Sequence, residues 1–392
     1  MKGQFKSVEL FTGAGGLALG LEKSGWRHSA LVERNQHACS TIQLNGERRH
    51  PLAKNWKLYS NDVREIQYKD IVKNVDMVAG GPPCQPFSLG GKHRAHRDSR
   101  DMFPEAVRAV RELKPKYFLF ENVKGLLRET FATYFNYIIL QLTYPTIVKR
   151  SEEEWQEHLS RLEKRHTGRS RSSLAYNVVY RLLNAADYGV PQHRHRVFIV
   201  GFRSDLGQEW SFPEATHFLD KMLWDQWVDG CYWDEHQVAK KNRPSMPKQY
   251  ERRIEQLASD FIFSPPPGER YQTVRDAISD LPDPLYGGGI FNHEFRGGAR
   301  PYPGHTGSML DQPSKTLKAG DHGVPGGENM IAFYDGNYRY YTVRESARIQ
   351  SFPDDYVFSG SWTEAMRQIG NAVPVKLASI VGESIKAPSG VK

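Results

Sequence analysis

Cysteine is scarce in this chain, with three in 392 residues, at Cys39, Cys84 and Cys231. None stands at CxxC spacing from another, so neither a disulfide framework nor a cysteine-zinc site is expected. A cysteine in a conspicuous setting is then a candidate for chemistry. Long uncharged apolar runs are missing too, and a mean hydropathy of −0.61 argues against a membrane span. The first ten residues carry Lys2, Lys6 and Glu9 where a signal peptide would need an apolar core. An unsecreted, cytoplasmic protein is the expectation. Internal repeats and low-complexity tracts are absent.

The composition is that of a globular protein, 39% apolar and 25% charged. Its net charge of +8 and pI near 9.2 favour an anionic partner such as nucleic acid. At roughly 150 residues per domain, the length suggests about two to three domains.

Up to about residue 125 the chain alternates short apolar runs with helical periodicity. Strands are predicted at Ser7 to Phe11, Ala30 to Glu33, Val75 to Ala79 and Tyr117 to Glu121, with helices near residues 35–44 and 103–113. Such alternation indicates βαβ units and a parallel sheet covered on both faces. Tyr176 to Leu183 and Arg196 to Phe202 add two strands, read as a hairpin. Ser151 to His166 has Trp155, Leu159 and Leu162 at helical spacing, as expected of an amphipathic helix docked outside the sheet. From about residue 204 to 340 periodicity weakens and prolines, glycines and tryptophans accumulate, marking a second, loop-rich domain. Helical patterns return at residues 342–350, 362–368 and 374–385. The expected organisation is one domain of residues 1–203 and 341–392 and another of 204–340.

Phe11-Thr12-Gly13-Ala14-Gly15-Gly16 is a glycine turn between the first strand and first helix, where backbone can approach a ligand. Its order is FxGxGG rather than the GxGxxG of a dinucleotide fold. Glu33 ends the second strand, where a carboxylate can accept from ribose hydroxyls, and Asp62 follows in a similar position. Gly80-Gly81-Pro82-Pro83-Cys84-Gln85-Pro86-Phe87-Ser88 comes directly after a strand. Cys84 therefore lies in a stiffened loop at the carboxyl end of a parallel strand, where open α/β sheets bind ligands. A further strand ends in Glu121-Asn122-Val123, so Cys84 and Glu121 are expected at one sheet edge, facing one substrate.

These segments, with GVPQHRHRVFIVG (189–201), RESARIQSFPDDY (344–356) and QIGNAVP (368–374), resemble the bacterial-type DNA (cytosine-5)-methyltransferase family over most of the chain, in the family's unpermuted order. The resemblance implies an α/β, Rossmann-like, S-adenosylmethionine-dependent methyltransferase sheet with helices on both faces, plus a smaller loop-rich target-recognition domain. It implies methyl transfer from S-adenosylmethionine, leaving S-adenosylhomocysteine, to carbon 5 of a flipped-out cytosine in a specific short sequence of double-stranded DNA. Cys84 matches the nucleophile and Glu121 the acid at N3; Arg196 matches the arginine on cytosine O2, and Arg194 its partner near the nucleophile. Phe11, Gly13, Gly15, Glu33, Asp62, Pro83 and Asn371 match cofactor contacts. No metal is implied. Arg34 departs from the pattern, because many relatives carry a bulky apolar residue beside the acidic one, so adenine stacking is expected to be supplied differently. A monomer in the bacterial cytoplasm is expected, paired with a restriction endonuclease acting on the same sequence.

The loop after Cys84 combines glycines with cations, as a lid closing on DNA requires. Gln85, Ser88, Lys92, Arg94 and Arg97 are its candidate DNA contacts. Thr316, in Pro313-Ser314-Lys315-Thr316-Leu317, resembles the Thr-Leu pair that ends the family's recognition region. Blander readings are preferred elsewhere. Asp101 is a helix N-terminal charge, and Thr273 to Asp276 a capping box. Trp210, Trp224, Trp227 and Trp233 are small-domain core, and Cys39 and Cys231 are packing residues. Of the alternatives, a tRNA-methylating relative would carry a Cys-Phe-Thr segment, which is absent. A catalytically dead relative would have lost Cys84 or Glu121, and a nicotinamide dehydrogenase gives no reason for PPCQPFS.

Overall fold

The structure, a computed structural model, describes residues 4–83, 101–168, 174–286, 288–320 and 328–386. Its strands are β1 (Lys6–Leu10), β2 (Arg27–Val32), β3 (Leu58–Tyr59), β4 (Met77–Gly80), β5 (Tyr117–Val123), β6 (Tyr176–Asn184), β7 (His195–Arg203), β8 (His217–Phe218), β9 (Glu269–Arg270), β10 (Ser308–Met309), β11 (Met330–Ala332) and β12 (Tyr338–Tyr340). The helices are α1 (Gly16–Lys23), α2 (Gln36–Glu47), α3 (Tyr68–Ile71), α4 (Phe103–Leu113), α5 (Ala132–Thr143), α6 (Trp155–Thr167), α7 (Leu219–Leu223), α8 (Cys231–Glu235), α9 (Glu251–Asp260), α10 (Val274–Ile278), α11 (Val343–Ile349), α12 (Trp362–Asn371) and α13 (Val375–Lys386).

Seven strands form the main sheet in the order β3-β2-β1-β4-β5-β7-β6. The first five in that order run parallel, whereas β7 is antiparallel to both β5 and β6. The carboxyl ends of β1, β2, β4 and β5 and the amino end of β7 therefore emerge at one edge. Alternation along each strand sends residues to opposite faces. Phe118 and Phe120 join Val8, Leu10 and Val78 under α4, α5 and α6, while Tyr117 and Leu119 join Met77 and Ala79 under α1 and α13. The C-terminal α13 lies against α1, and the Trp26 indole donates to the Gly382 carbonyl at 2.8 Å.

Two expectations need correction. Trp210 belongs to the main sheet's core, packed on Phe202 and Phe212 with its indole donating to Ser384 O at 3.0 Å. Trp224, Trp227 and Trp233 stay in the smaller lobe, the first two in its cluster around Met222, Leu223, Ile254 and Leu257. Cys231 is exposed at the start of α8 instead of packed, while Cys39 is buried. Within residues 204–340, Val274, Ile278, Leu317 and Ile331 share one core with α1, α11 and α12. Among the described residues no helix is long and apolar enough to cross a membrane.

Candidate active site

The glycine turn leaves β1 with Phe11, Gly13 and Gly15 at φ of 57°, 55° and 89°. Gly15 needs the freedom of a missing Cβ, because the left-handed conformation is combined with Tyr356 Oη and the Trp56 ring close by. Gly16 is constrained by the far end of the chain, since a side chain there would run into the Val373 carbonyl. The turn is thus seated on residues 372–373, just past Asn371, which ends α12 and is exposed.

Glu33, at the end of β2, holds the turn from the side. One carboxylate oxygen accepts from Gly13 N at 2.8 Å, and the other from Arg34 N and Asn35 N at 2.8 and 2.7 Å. Asp62 lies beyond β3 and is gripped by two arginines, Arg64 through two guanidinium nitrogens at 2.9 and 2.6 Å and Arg34 at 3.0 Å. Those bonds, Arg64's foremost, hold its carboxyl well below the usual range. Arg34, the departure from the family pattern, spans the gap between Glu33 and Asp62. The glycine turn, Glu33, Asp62 and Pro83 line one sheet edge with open space over Gly13 and carboxylate acceptors beside it. This fits a ligand with ribose hydroxyls and an amino-bearing base, as S-adenosylmethionine has.

Next along the edge, β4 runs into Gly81, Pro82 and Pro83. Asn122 Nδ2 donates to Pro82 O at 2.9 Å, and Met102 N to Pro83 O at 3.1 Å, so the chain is pinned up to the residue before Cys84. A side chain on Gly81 would press against Glu121 Oε2. Register explains its other partner. Val123 opposes Arg196 and Glu121 opposes Phe198, placing Glu121 and Arg196 diagonally on the same face. Arg196 Nε meets Glu121 Oε1 at 2.7 Å. Both side chains are largely buried, and burial raises the Glu121 carboxyl above its ordinary value, with Arg196 and then Arg194 pulling it down. Burial likewise weakens the Arg196 guanidinium's hold on its proton, which Glu121 opposes.

Arg194 is held by the backbone behind the site. It is fully buried, and its two terminal nitrogens donate to backbone, Nη1 to Leu317 O at 3.0 Å and Nη2 to Gly370 O at 2.6 Å and Ala372 O at 2.9 Å. Arg196 faces Glu121; Arg194 braces the protein. Thr316 Oγ1 donates to His193 O at 2.6 Å, which puts the Thr-Leu pair beside this run. Cys84, Gln85, Ser88, Lys92, Arg94 and Arg97 lie outside the described residues. Residues that sequence reasoning left out include Asn122, Arg64, Gln192 and Gln350. Asn122, Gln192 and Gln350 stand inside the segments quoted at 121–123, 189–201 and 344–356, and that adjacency is the available signal.

The family description "C-5 cytosine-specific DNA methylase" matches residues 5–144 and 157–387. Type II methyltransferase M.Eco47II of Escherichia coli is 32% identical, over 96% of this chain and 78% of its own. Type II methyltransferase M.NgoMIV of Neisseria gonorrhoeae is 31% identical, over 97% of each. Among solved structures, a DNA modification methyltransferase encoded within an E. coli prophage superposes with a TM-score of 0.57 at 19% identity, covering 98% of this chain and 99% of that one. S. pombe Dnmt2 methyltransferase gives 0.55 at 17% identity, with 98% of each covered. The solved structures share the fold, a Rossmann-like α/β methyltransferase sheet, and the sequence matches decide the family: this chain belongs to the C-5 cytosine-specific DNA methylases.

Proposed function

We propose that this protein transfers the methyl group of S-adenosylmethionine to carbon 5 of a cytosine flipped out of double-stranded DNA, through a covalent Cys84 adduct at carbon 6. The observation that carries the reading is the buried Glu121–Arg196 pair at 2.7 Å, beside the strand end that leads to Cys84. Carbon 5 of cytosine is a poor nucleophile. The Cys84 thiolate adds to carbon 6, and the displaced π electrons load the ring, where Glu121 supplies a proton at N3. A carboxyl raised by burial is suited to hold that proton near neutral pH. Arg196, fixed by Glu121, would donate to cytosine O2 and stabilise the developing charge.

When bound, S-adenosylmethionine supplies an electrophilic methyl on a sulfonium. The activated carbon 5 takes that methyl, its own proton leaves to a base, and the carbon 6–sulfur bond breaks with its electron pair returning to Cys84. Glu121 then recovers the N3 proton. Phe11, Gly13, Gly15 and Pro83 would line the cofactor, Glu33 its ribose, Asp62 the adenine amino group and Asn371 the closing side. Asn371's exposed position beside the turn supports that role.

The target base must leave the duplex by ~180°. Gln85, Ser88, Lys92, Arg94 and Arg97 are proposed as the closing loop, and Thr316 as a contact near the flipped nucleotide. Residues 204–340 would read the sequence. A cleft of about 810 Å³ there, lined by Trp227, Lys241, Asn242, Lys248, Gln312 and Tyr334, offers cations for phosphates and amides for base edges. Since the relatives are named Type II methyltransferases, membership of a restriction-modification system, alongside an endonuclease of the same sequence specificity, completes the reading. Bisulfite sequencing of DNA from cells expressing the chain tests it. Protected cytosines in one short sequence are expected, and full conversion at every site would overturn it.

A further inference from the structure

Three chain segments far apart in sequence meet behind the Glu121–Arg196 pair, and two glutamines and an arginine tie them. Gln350 Nε2 donates to Ile369 O at 2.7 Å and Ala372 O at 3.2 Å, and its Oε1 accepts from Gln192 Nε2 at 3.1 Å. Gln192 Oε1 accepts from Leu317 N at 3.0 Å, while Arg194 takes Leu317 O on the other side of that residue. With Arg194 also on Gly370 O and Ala372 O, the carbonyls of residues 369, 370 and 372 all end on Arg194 or Gln350. These are carbonyls at the C-terminal end of α12, where a helix leaves acceptors unpaired and a cation is favourable. Gly370 leaves no slack, because a Cβ there would strike the backbone of Lys318 and Ala319. All three tying side chains are fully buried.

Asn371 stands between two of the clamped carbonyls and is itself exposed beside the glycine turn. We infer that Arg194 and Gln350 are positioning residues for the cofactor side of the reaction: they set the backbone that presents Asn371, from the same strand entry that carries Arg196. One rigid cross-tie thus registers the cytosine-facing Arg196, the end of the variable region at Leu317 and the cofactor-facing Asn371. Arginine suits the task because its planar fork reaches three carbonyls at once, which a lysine ammonium on a flexible stem does not. The inference rests on Asn371 closing the S-adenosylmethionine pocket, as proposed above.

The test is calorimetric titration of S-adenosylmethionine into the full-length protein, with KM and kcat measured alongside and a thermal melt to confirm folding. Arg194→Lys should weaken cofactor binding roughly ten-fold, the loss expected for charged, buried hydrogen bonds, and raise KM for the cofactor. Arg196→Lys, on the cytosine side, should lower kcat with cofactor affinity unchanged. Gln350→Ala, which leaves Arg194 in place, should show a smaller loss of the Arg194→Lys kind and serves if Arg194→Lys does not fold. A folded Arg194→Lys or Gln350→Ala protein binding the cofactor within two-fold of wild type would overturn the cross-tie. Wild-type protein giving no binding heat would instead sink the functional reading beneath it.

Discussion

The carboxyl edge of the main sheet and the smaller lobe hold polar groups out of water by different means. At the edge, backbone ladders do the placing. Glu121 and Arg196 meet because β5 and β7 are paired in one register, and Asn122 reaches Pro82 because β4 and β5 are neighbours. The lobe has strands of only two residues at β8 and β9, and it is organised by side chains. Asp311 is its hub, accepting from Tyr232 at 2.8 Å, Tyr334 at 2.8 Å and Arg275 at 2.5 and 3.0 Å, while Gln226 donates to its backbone carbonyl at 2.8 Å. Geometry written in ladders survives many substitutions; geometry written in a hub depends on one carboxylate. In the function proposed above, chemistry falls to the first and sequence reading to the second.

Substitutions at the edge should therefore stop the reaction without unfolding the protein. Cys84→Ala should lower kcat by more than about 10³-fold, since no other group replaces a covalent nucleophile. Cofactor titration of that variant should match wild type. Glu121→Gln should cost roughly 10²- to 10⁴-fold in kcat, the range for a lost general acid. Because the Glu121 carboxyl is raised, the wild-type rate should fall on the alkaline side as the proton is lost through that raised pKa, and a pH–rate profile of the glutamine variant should lack this limb.

A substitution at the hub should do the reverse. Asp311→Ala strands Arg275 beside two tyrosines and should destabilise the protein by about 3 kcal/mol, as expected for breaking a largely buried ion pair. Urea unfolding would measure the loss, and bisulfite sequencing should show relaxed target choice with cofactor binding retained. If instead methyl transfer is lost with full specificity in what remains, the division between edge and hub is wrong.

The smallest effect concerns Glu9 on β1, a fully buried carboxyl with no ion-pair partner among the described residues. Burial raises its pKa well above the usual value, opposed by the Ala18 backbone and helped by the charge of Glu33. A group raised in the folded state contributes stability that is full below its unfolded pKa and lost as pH rises through the folded one, at about 1.4 kcal/mol per pH unit between them. Glu9→Gln removes that slope. The fall in melting temperature from pH 5 upward should be shallower in the variant, and an unchanged slope would show that Glu9 does not hold its proton.

Much of the edge was legible in the sequence, because short apolar runs punctuated by glycine and proline are what a parallel sheet requires. Helix α4 has its expected bounds, with Asp101 accepting from Phe103 N at 3.2 Å, and the capping box at Thr273 is present. Helix α5 is different. Its sequence, ATYFNYIILQLT, is apolar almost all round and buries seven positions, so no amphipathic stripe marks it. Strand β3 is too short to show a period. At the site, the family resemblance put Glu121 and Arg196 on one base, but the contrast between Arg194 and Arg196 depends on which turns pack behind β7. Leu317 and Gly370 are more than a hundred residues away in sequence. Likewise, nothing local in Trp210 distinguishes it from the other tryptophans until Ser384 is known to lie beside it.

The central claim is a covalent bond between Cys84 and cytosine, and a duplex carrying 5-fluorocytosine at the target position tests it most directly. Fluorine cannot leave carbon 5 as a proton does, so elimination is blocked after methyl transfer. With S-adenosylmethionine present, mass spectrometry of the digested complex should find the DNA joined to the peptide that contains Cys84. A methylated target with no adduct, or an adduct on any other residue, would contradict the account.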